Sequence, residues 1–170
     1  MLRKYAVWPL LAAAPFFLLG GCKTKTEAPA PPGETAPAAE PPEGFALMDA
    51  SAFNVDDYKG RVLVLDFWAT WCGPCKMEIP HLIELQKKYR DQGLTIVGIT
   101  LDENPDKDVP PYAAEVGMNY VNVRGNDELK SKYGVIGLPT IVIYDRDGNE
   151  VMKRPGYIEK GRLEGAITPL

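Results

Sequence analysis

The sequence has little histidine and little cysteine: one His and three Cys in 170 residues. A structural zinc site usually takes four such ligands, and a disulfide-stapled scaffold needs a denser set of cysteines, so neither describes this chain. Basic residues are also in deficit, 19 Lys plus Arg against 23 Asp plus Glu, for a formal charge of −4. That balance argues against a nucleic-acid binder, which needs a clustered basic patch. No repeat is visible. The apolar stretch from Tyr5 to Leu19 is shorter than the ~20 residues a bilayer span takes, and Pro9 and Pro15 interrupt it. Proline, by contrast, is plentiful and unevenly placed. Six of the sixteen fall within residues 23–43.

The first 43 residues read as address and tether. Arg3 and Lys4 precede the apolar run, the layout of a secretory signal with its basic and hydrophobic regions. The run closes on Leu19-Gly20-Gly21-Cys22, which resembles the bacterial lipobox. On that resemblance residues 1–21 are a lipoprotein signal peptide, and Cys22 becomes the acylated first residue of the mature chain. Several acyl chains, at about 0.8 kcal/mol per buried CH₂, would hold it on a membrane. Residues 22–43 then form a lipidated linker rich in Pro and Ala, with no aromatic and no large aliphatic residue. Such a segment cannot bury enough apolar area to offset its ordering entropy. Extended at about 3.1 Å per residue, its 21 residues after the cysteine reach roughly 65 Å. Residues 44–170 are the expected folded domain.

Within that domain only Cys72 and Cys75 remain, in Trp71-Cys72-Gly73-Pro74-Cys75. Outside the cytoplasm such a pair is either a working redox couple or an idle disulfide. Arg61 to Trp68 is a nearly continuous apolar run and reads as a strand buried on both faces. Lys76 to Arg90 reads as a helix containing Pro80, and Leu94 to Leu101 as a second buried strand, which together make a parallel strand–helix–strand unit. Asp102 to Asp108 reads as an acidic loop, Pro111 to Val116 as a short helix and Tyr120 to Val123 as a short strand. A helix over Asp127 to Tyr133 and a strand over Thr140 to Tyr144 follow. Asp145-Arg146-Asp147-Gly148 signals a hairpin into an antiparallel strand over Glu150 to Arg154, and a closing helix is expected over Glu159 to Ile167. The fold class is α/β, a mixed sheet with helices on both faces.

The run from Phe67 to Lys76, FWATWCGPCK, resembles the active-site segment of the thioredoxin superfamily, and its extension through Glu78 and Pro80 resembles the TlpA-like branch of membrane-anchored thiol–disulfide oxidoreductases. Tyr133 to Thr140, YGVIGLPT, is similar to the family's cis-proline segment. The likeness spans about residues 45–168, and the material around 102–126 resembles the branch's helix–strand insertion. A C-x-x-C alone is a weak motif; flanked by a buried strand, a helix and a downstream G-x-P it is specific.

A thiol attacks only as its thiolate. Cys72 is expected at a helix N-terminus, where free N–H groups and the dipole favour an anion, and is assigned as the nucleophile. Cys75, one turn in, is the resolving thiol. Neither Gly73 nor Pro74 carries charge, as in reducing thioredoxins, whose potential lies near about −270 mV. The domain is therefore expected to donate electrons. Asp66, in an apolar strand, matches by resemblance the buried acid that assists proton transfer at the inner cysteine, and Glu78 matches a recurring acid of the branch. Pro139 is expected to be cis, leaving the backbone of Leu138 free to pair with an extended substrate. Trp68 is expected in the core, and Trp71 on an exposed rim beside Gly73 and Pro74.

The resemblance implies protein disulfide substrates, a membrane electron-transfer protein of the DsbD type as reductant, an extracytoplasmic location and a possible role with apocytochrome c. It implies neither a metal nor an organic cofactor. Asp102, Asn104, Asp106 and Asp108 have an oxygen-ligand spacing, but Pro105 and Lys107 stand where a calcium loop wants other residues. His81 reads as a half-exposed helix residue. Three rivals remain at this point: a thiol peroxidase, for which Thr70 and Cys72 do not supply the P-x-x-x-T-x-x-C setting; a non-catalytic lipoprotein with a structural disulfide; and an oxidase, marked by a potential above about −150 mV.

Overall fold

The computed structural model describes residues 43–170. The expected signal peptide, Cys22 and the expected linker up to residue 42 lie outside the described residues. Six strands form one sheet: β1 (Ala46–Met48), β2 (Val62–Trp68), β3 (Leu94–Thr100), β4 (Val121–Arg124), β5 (Thr140–Tyr144) and β6 (Glu150–Pro155). Their order is β1-β4-β3-β2-β5-β6. The β1–β4, β4–β3 and β3–β2 pairs are parallel, and β2–β5 and β5–β6 are antiparallel. The helices are α1 (Gly73–Tyr89), α2 (Pro105–Val116), α3 (Asp127–Lys132) and α4 (Lys160–Ile167). This is the mixed, thioredoxin-like α/β sheet expected of the sequence.

All residues of β2 are buried, so its two faces root two cores. Val64 and Trp68 pack with Ile79 and Leu82 of α1, Val109 and Ala113 of α2 and Leu163 of α4. Leu63, Leu65 and Phe67 pack on the other side with Val97, Ile99, Leu129 of α3 and Tyr133. A strand buried on both faces reads as continuous apolar sequence, and here Asp66 is its single charged member.

The insertion differs from the expected loop and short helix. The helix runs from Pro105, six residues earlier than Pro111, so Pro105 to Asp108 is helical rather than loop. Pro105 suits a first helical position because its missing N–H has no partner there anyway, and Asp106 and Asp108 in the first turn favour the positive dipole end. Pro110 and Pro111 fall inside the helix. Burial of Val109 and Ala113, one turn apart, offsets the amide donors those prolines remove. Strand β1 was not anticipated. Its three residues are too few to carry a period, and pairing with β4 defines it. Among the described residues no helix is long and apolar enough to cross a membrane.

Candidate active site

Strand β2 ends at Trp68, and four residues later Cys72 is the N-cap of α1. Gly73 and Pro74 occupy the first turn, where a proline needs no amide partner. Cys72 and Cys75 form a disulfide with Cα atoms 5.3 Å apart. The Cys75 backbone N–H points at Cys72 Sγ, 3.2 Å away, so the outer sulfur sits among the unsatisfied donors of the helix end. Cys72 is 5% exposed and Cys75 1%.

Beside the disulfide runs a groove of ≈ 730 Å³, lined by Trp71, Gly73 and Pro74 and by Val135 to Leu138. Its lining also includes Leu101, Asp102 and Gly125, which lie just past the carboxyl ends of β3 and β4. Parallel sheets place ligand sites at such ends. Trp71 and Ile136 stand out of the rim at 67% and 89% exposure. The Leu138–Pro139 peptide is cis. Pro139 itself does not line the groove; its carbonyl accepts the Gly156 N–H at 2.8 Å. The backbone of Leu138 enters none of the turn, loop or cap hydrogen bonds. Trp68 is fully buried, its Nε1 donating to Asn122 Oδ1 at 2.9 Å.

The two elements that flank the cysteines each carry a buried carboxyl, Asp66 in β2 and Glu78 on α1 one turn past Cys75. Asp66 is 1% exposed and Glu78 0%. Glu78 Oε1 accepts the Ile158 N–H at 2.8 Å, while Glu78 Oε2 and both Asp66 oxygens have no hydrogen-bond partner. Burial pushes the Glu78 carboxyl up to about 7, against the pull of the Ile158 amide. Burial, and then the neighbouring Glu78 charge, hold Asp66 well above the usual carboxylate range. Two acids that resist ionisation near an inner thiol can take up and return a proton at neutral pH.

The Redoxin family model matches residues 31–166, most of the chain. The chain belongs to the Redoxin family. Among the relatives of this redoxin, the thiol-disulfide oxidoreductase ResA of Bacillus thuringiensis subsp. konkukian (strain 97-27) is 33% identical over 166 residues, covering 94% of this chain and 91% of its own. Of solved structures, a thioredoxin-family thiol:disulfide interchange protein from Chlorobium tepidum TLS superposes with a TM-score of 0.64 at 26% identity, covering 79% of this chain and 98% of its own. The pneumococcal exposed lipoprotein thioredoxin Etrx1 of Streptococcus pneumoniae strain TIGR4 gives 0.59 at 25% identity, covering 69% and 91%. With its Cys72–Cys75 disulfide, this redoxin is a thiol–disulfide oxidoreductase.

Sequence reasoning passed over the residues that hold the site in place. Asp102 was seen only as part of a rejected calcium spacing. In the redoxin fold its carboxylate accepts the Thr70 N–H at 3.0 and 3.1 Å, and the Thr70 and Thr100 hydroxyls at 2.6 Å each. It thereby pins the loop that carries Cys72. Its position directly after β3, beside the end of β2, was the available signal. The other acids of that spacing are spread apart, Asp106 pairing with Arg124 of β4. His81 is half-buried, its ring 6.1 Å from that of Tyr157. Asn122 and Tyr120 carried no sequence signal beyond the short strand that contains or adjoins them.

Proposed function

We propose that this redoxin reduces protein disulfides on the outer side of a bacterial membrane, to which lipidated Cys22 holds it. One observation carries the catalytic part: Cys72 caps α1 at the wall of an open groove, and the buried carboxyl of Glu78, one helical turn past Cys75, neighbours that of Asp66. In the reduced enzyme the Cys72 thiolate attacks one sulfur of a substrate disulfide laid along Leu138. That bond breaks, a Cys72–substrate bond forms, and the leaving thiolate takes a proton. Cys75 then gives its proton to the Asp66–Glu78 pair and attacks Cys72. The Cys72–Cys75 bond forms, the second substrate sulfur leaves as a thiolate, and two electrons have passed to the substrate.

The reducing direction is supported by what surrounds the sulfurs. Gly73 and Pro74 place no cation or imidazole between them. Buried carboxyls oppose a nearby thiolate. Groups that disfavour the reduced form lower the potential by about 30 mV per 1.4 kcal/mol. Recharging falls to a membrane electron-transfer protein of the DsbD type, and apocytochrome c is among the fitting exported substrates. The anchoring is supported by Leu19-Gly20-Gly21-Cys22 and by the likeness to an exposed lipoprotein thioredoxin.

Equilibration against a dithiol buffer tests direction, with a potential below about −200 mV expected and one above about −150 mV overturning it. Trapping with Cys75→Ala tests the chemistry. The variant should accumulate mixed disulfides through Cys72, and a folded variant that captures nothing in cells overturns the reading.

A further inference from the structure

Buried polar atoms in folded proteins nearly always have hydrogen-bond partners. Among the described residues seven side-chain oxygen or nitrogen atoms do not, and four of them belong to three residues: both oxygens of Asp66, Oε2 of Glu78 and the hydroxyl of Tyr120. These residues come from separate elements. Asp66 lies in β2, Glu78 on α1, and Tyr120 just before β4. Register brings Asp66 and Tyr120 to one side. Asp66 is level with Gly98, and Gly98 with Asn122, so Tyr120 stands two residues from Asp66's own row and faces the same way. Tyr120 shares the core that contains Cys75 and Trp68, and it is 3% exposed.

The donors of Trp68, Asn122 and Ile158 are already engaged. The Trp68 indole N–H goes to Asn122 Oδ1, and the Asn122 amide goes to the Tyr120 carbonyl and Met118 Sδ. The Ile158 N–H goes to Glu78 Oε1. From α2, half-buried Tyr112 lies with its ring 5.6 Å from that of Trp68 and with Lys76 Nζ 5.2 Å above it. His81, further along α1, keeps Nδ1 unpartnered but lays its ring near Tyr157. Burial, then the charges of Asp66, Tyr112 and Glu78, keep the Tyr120 phenol well above its ordinary pKa. It therefore stays an O–H that feels the charge of both carboxyls, although in the disulfide form it makes no hydrogen bond with either.

We propose that Tyr120 is a positioning residue for the resolving step: its hydroxyl donates to the negative charge that the Asp66–Glu78 pair carries when it is ready to take the Cys75 proton. This rests on the mechanism above. Cys75 loses its proton to the pair, the Cys72–Cys75 bond forms as the Cys72–substrate bond breaks, and the substrate thiolate leaves. Tyr120 gains and loses no proton; it favours the ionised form of the acceptor.

The test is single-turnover reduction of an aromatic disulfide, 5,5′-dithiobis(2-nitrobenzoate), by the reduced protein between pH 5 and 9. The first thionitrobenzoate released reports attack by Cys72, and the second reports resolution by Cys75. Tyr120→Phe is expected to move the acid limb of the second phase up by about one pH unit, the size of one lost hydrogen bond to a buried carboxylate. The first phase keeps its profile. Superimposable second-phase profiles from a folded variant overturn the role of Tyr120. A wild-type protein that releases no second equivalent at any pH instead overturns the resolving mechanism. Should the variant fail to fold, wild-type protein bearing fluorotyrosine decides. The ¹⁹F resonance of Tyr120 must titrate with the carboxyl pair in the reduced form, and a flat signal overturns the proposal.

Discussion

The indole of Trp68 donates to the side-chain oxygen of Asn122 at 2.9 Å, passing over β3 at Gly98, the residue level with Asn122. A Cβ at Gly98 would fall on the Asn122 amide and within 2.8 Å of Trp68 Nε1. The absent side chain on the middle strand is what lets β2 and β4 join, and Trp68 is the last strand residue before the loop to Cys72.

Gly98→Ala should therefore displace this pair. Overpacking plus a lost buried hydrogen bond predicts a destabilisation of about 2–3 kcal/mol, read from the midpoint of urea unfolding. A change under about 0.5 kcal/mol would show that the core yields without strain.

Asp102→Ala removes the acceptor for Thr70 and Thr100. A loss of about 3 kcal/mol is expected, because buried donors are left unpaired. The loop before Cys72 should also loosen, slowing insulin reduction more than a surface control such as Lys107→Ala does. Equal rates for the two variants would remove Asp102 from the site's support.

Burial pushes the folded Glu78 carboxyl up to about 7, against 4.5 for the ordinary group. The folded protein thus binds more protons than the unfolded chain between these values, and stability falls as pH rises through the window. Asp66, also raised, adds to the slope. Glu78→Gln keeps an oxygen for the Ile158 N–H and removes one titrating group. Unfolding free energies measured from pH 4.5 to 7.5 should decline less steeply in the variant, by close to one proton in the linkage slope. An unchanged slope would mean that Glu78 is ionised throughout.

Ile136 is 89% exposed at the groove rim, so Ile136→Ser should leave stability within about 0.5 kcal/mol. Removal of an apolar contact predicts roughly tenfold lower kcat/KM for a protein disulfide, with little change for a small aromatic disulfide that does not fill the groove. Equal losses on both substrates would place Ile136 outside the recognition surface.

Cys22→Ala tests the tether. Full-length protein made with its leader should fractionate with membranes, and the variant should appear in the soluble extract, since a lipid anchor needs the sulfur. A variant that stays with the membranes would assign the anchoring to another part of the chain.

Several elements were legible because their signals are local. The apolar run of β2 announces a strand buried on both faces, and the spacing of Cys72 and Cys75 places two sulfurs one helical turn apart. The sequence alone also determined the order of elements from β2 to α4, with α2 read only from Pro111 to Val116; its first six residues, which packing of Val109 helps hold, read as loop. Tertiary structure decided the rest. It set Asp102 against Thr70, 32 residues away, and the Ile158 amide against Glu78, 80 residues away. It aligned Asp66, Gly98 and Asn122 in one row and left the Tyr120 hydroxyl unpaired in the core. Periodicity along a chain reports which face of an element is apolar. Strand register, which depends on how whole faces pack, determines which distant polar groups meet inside.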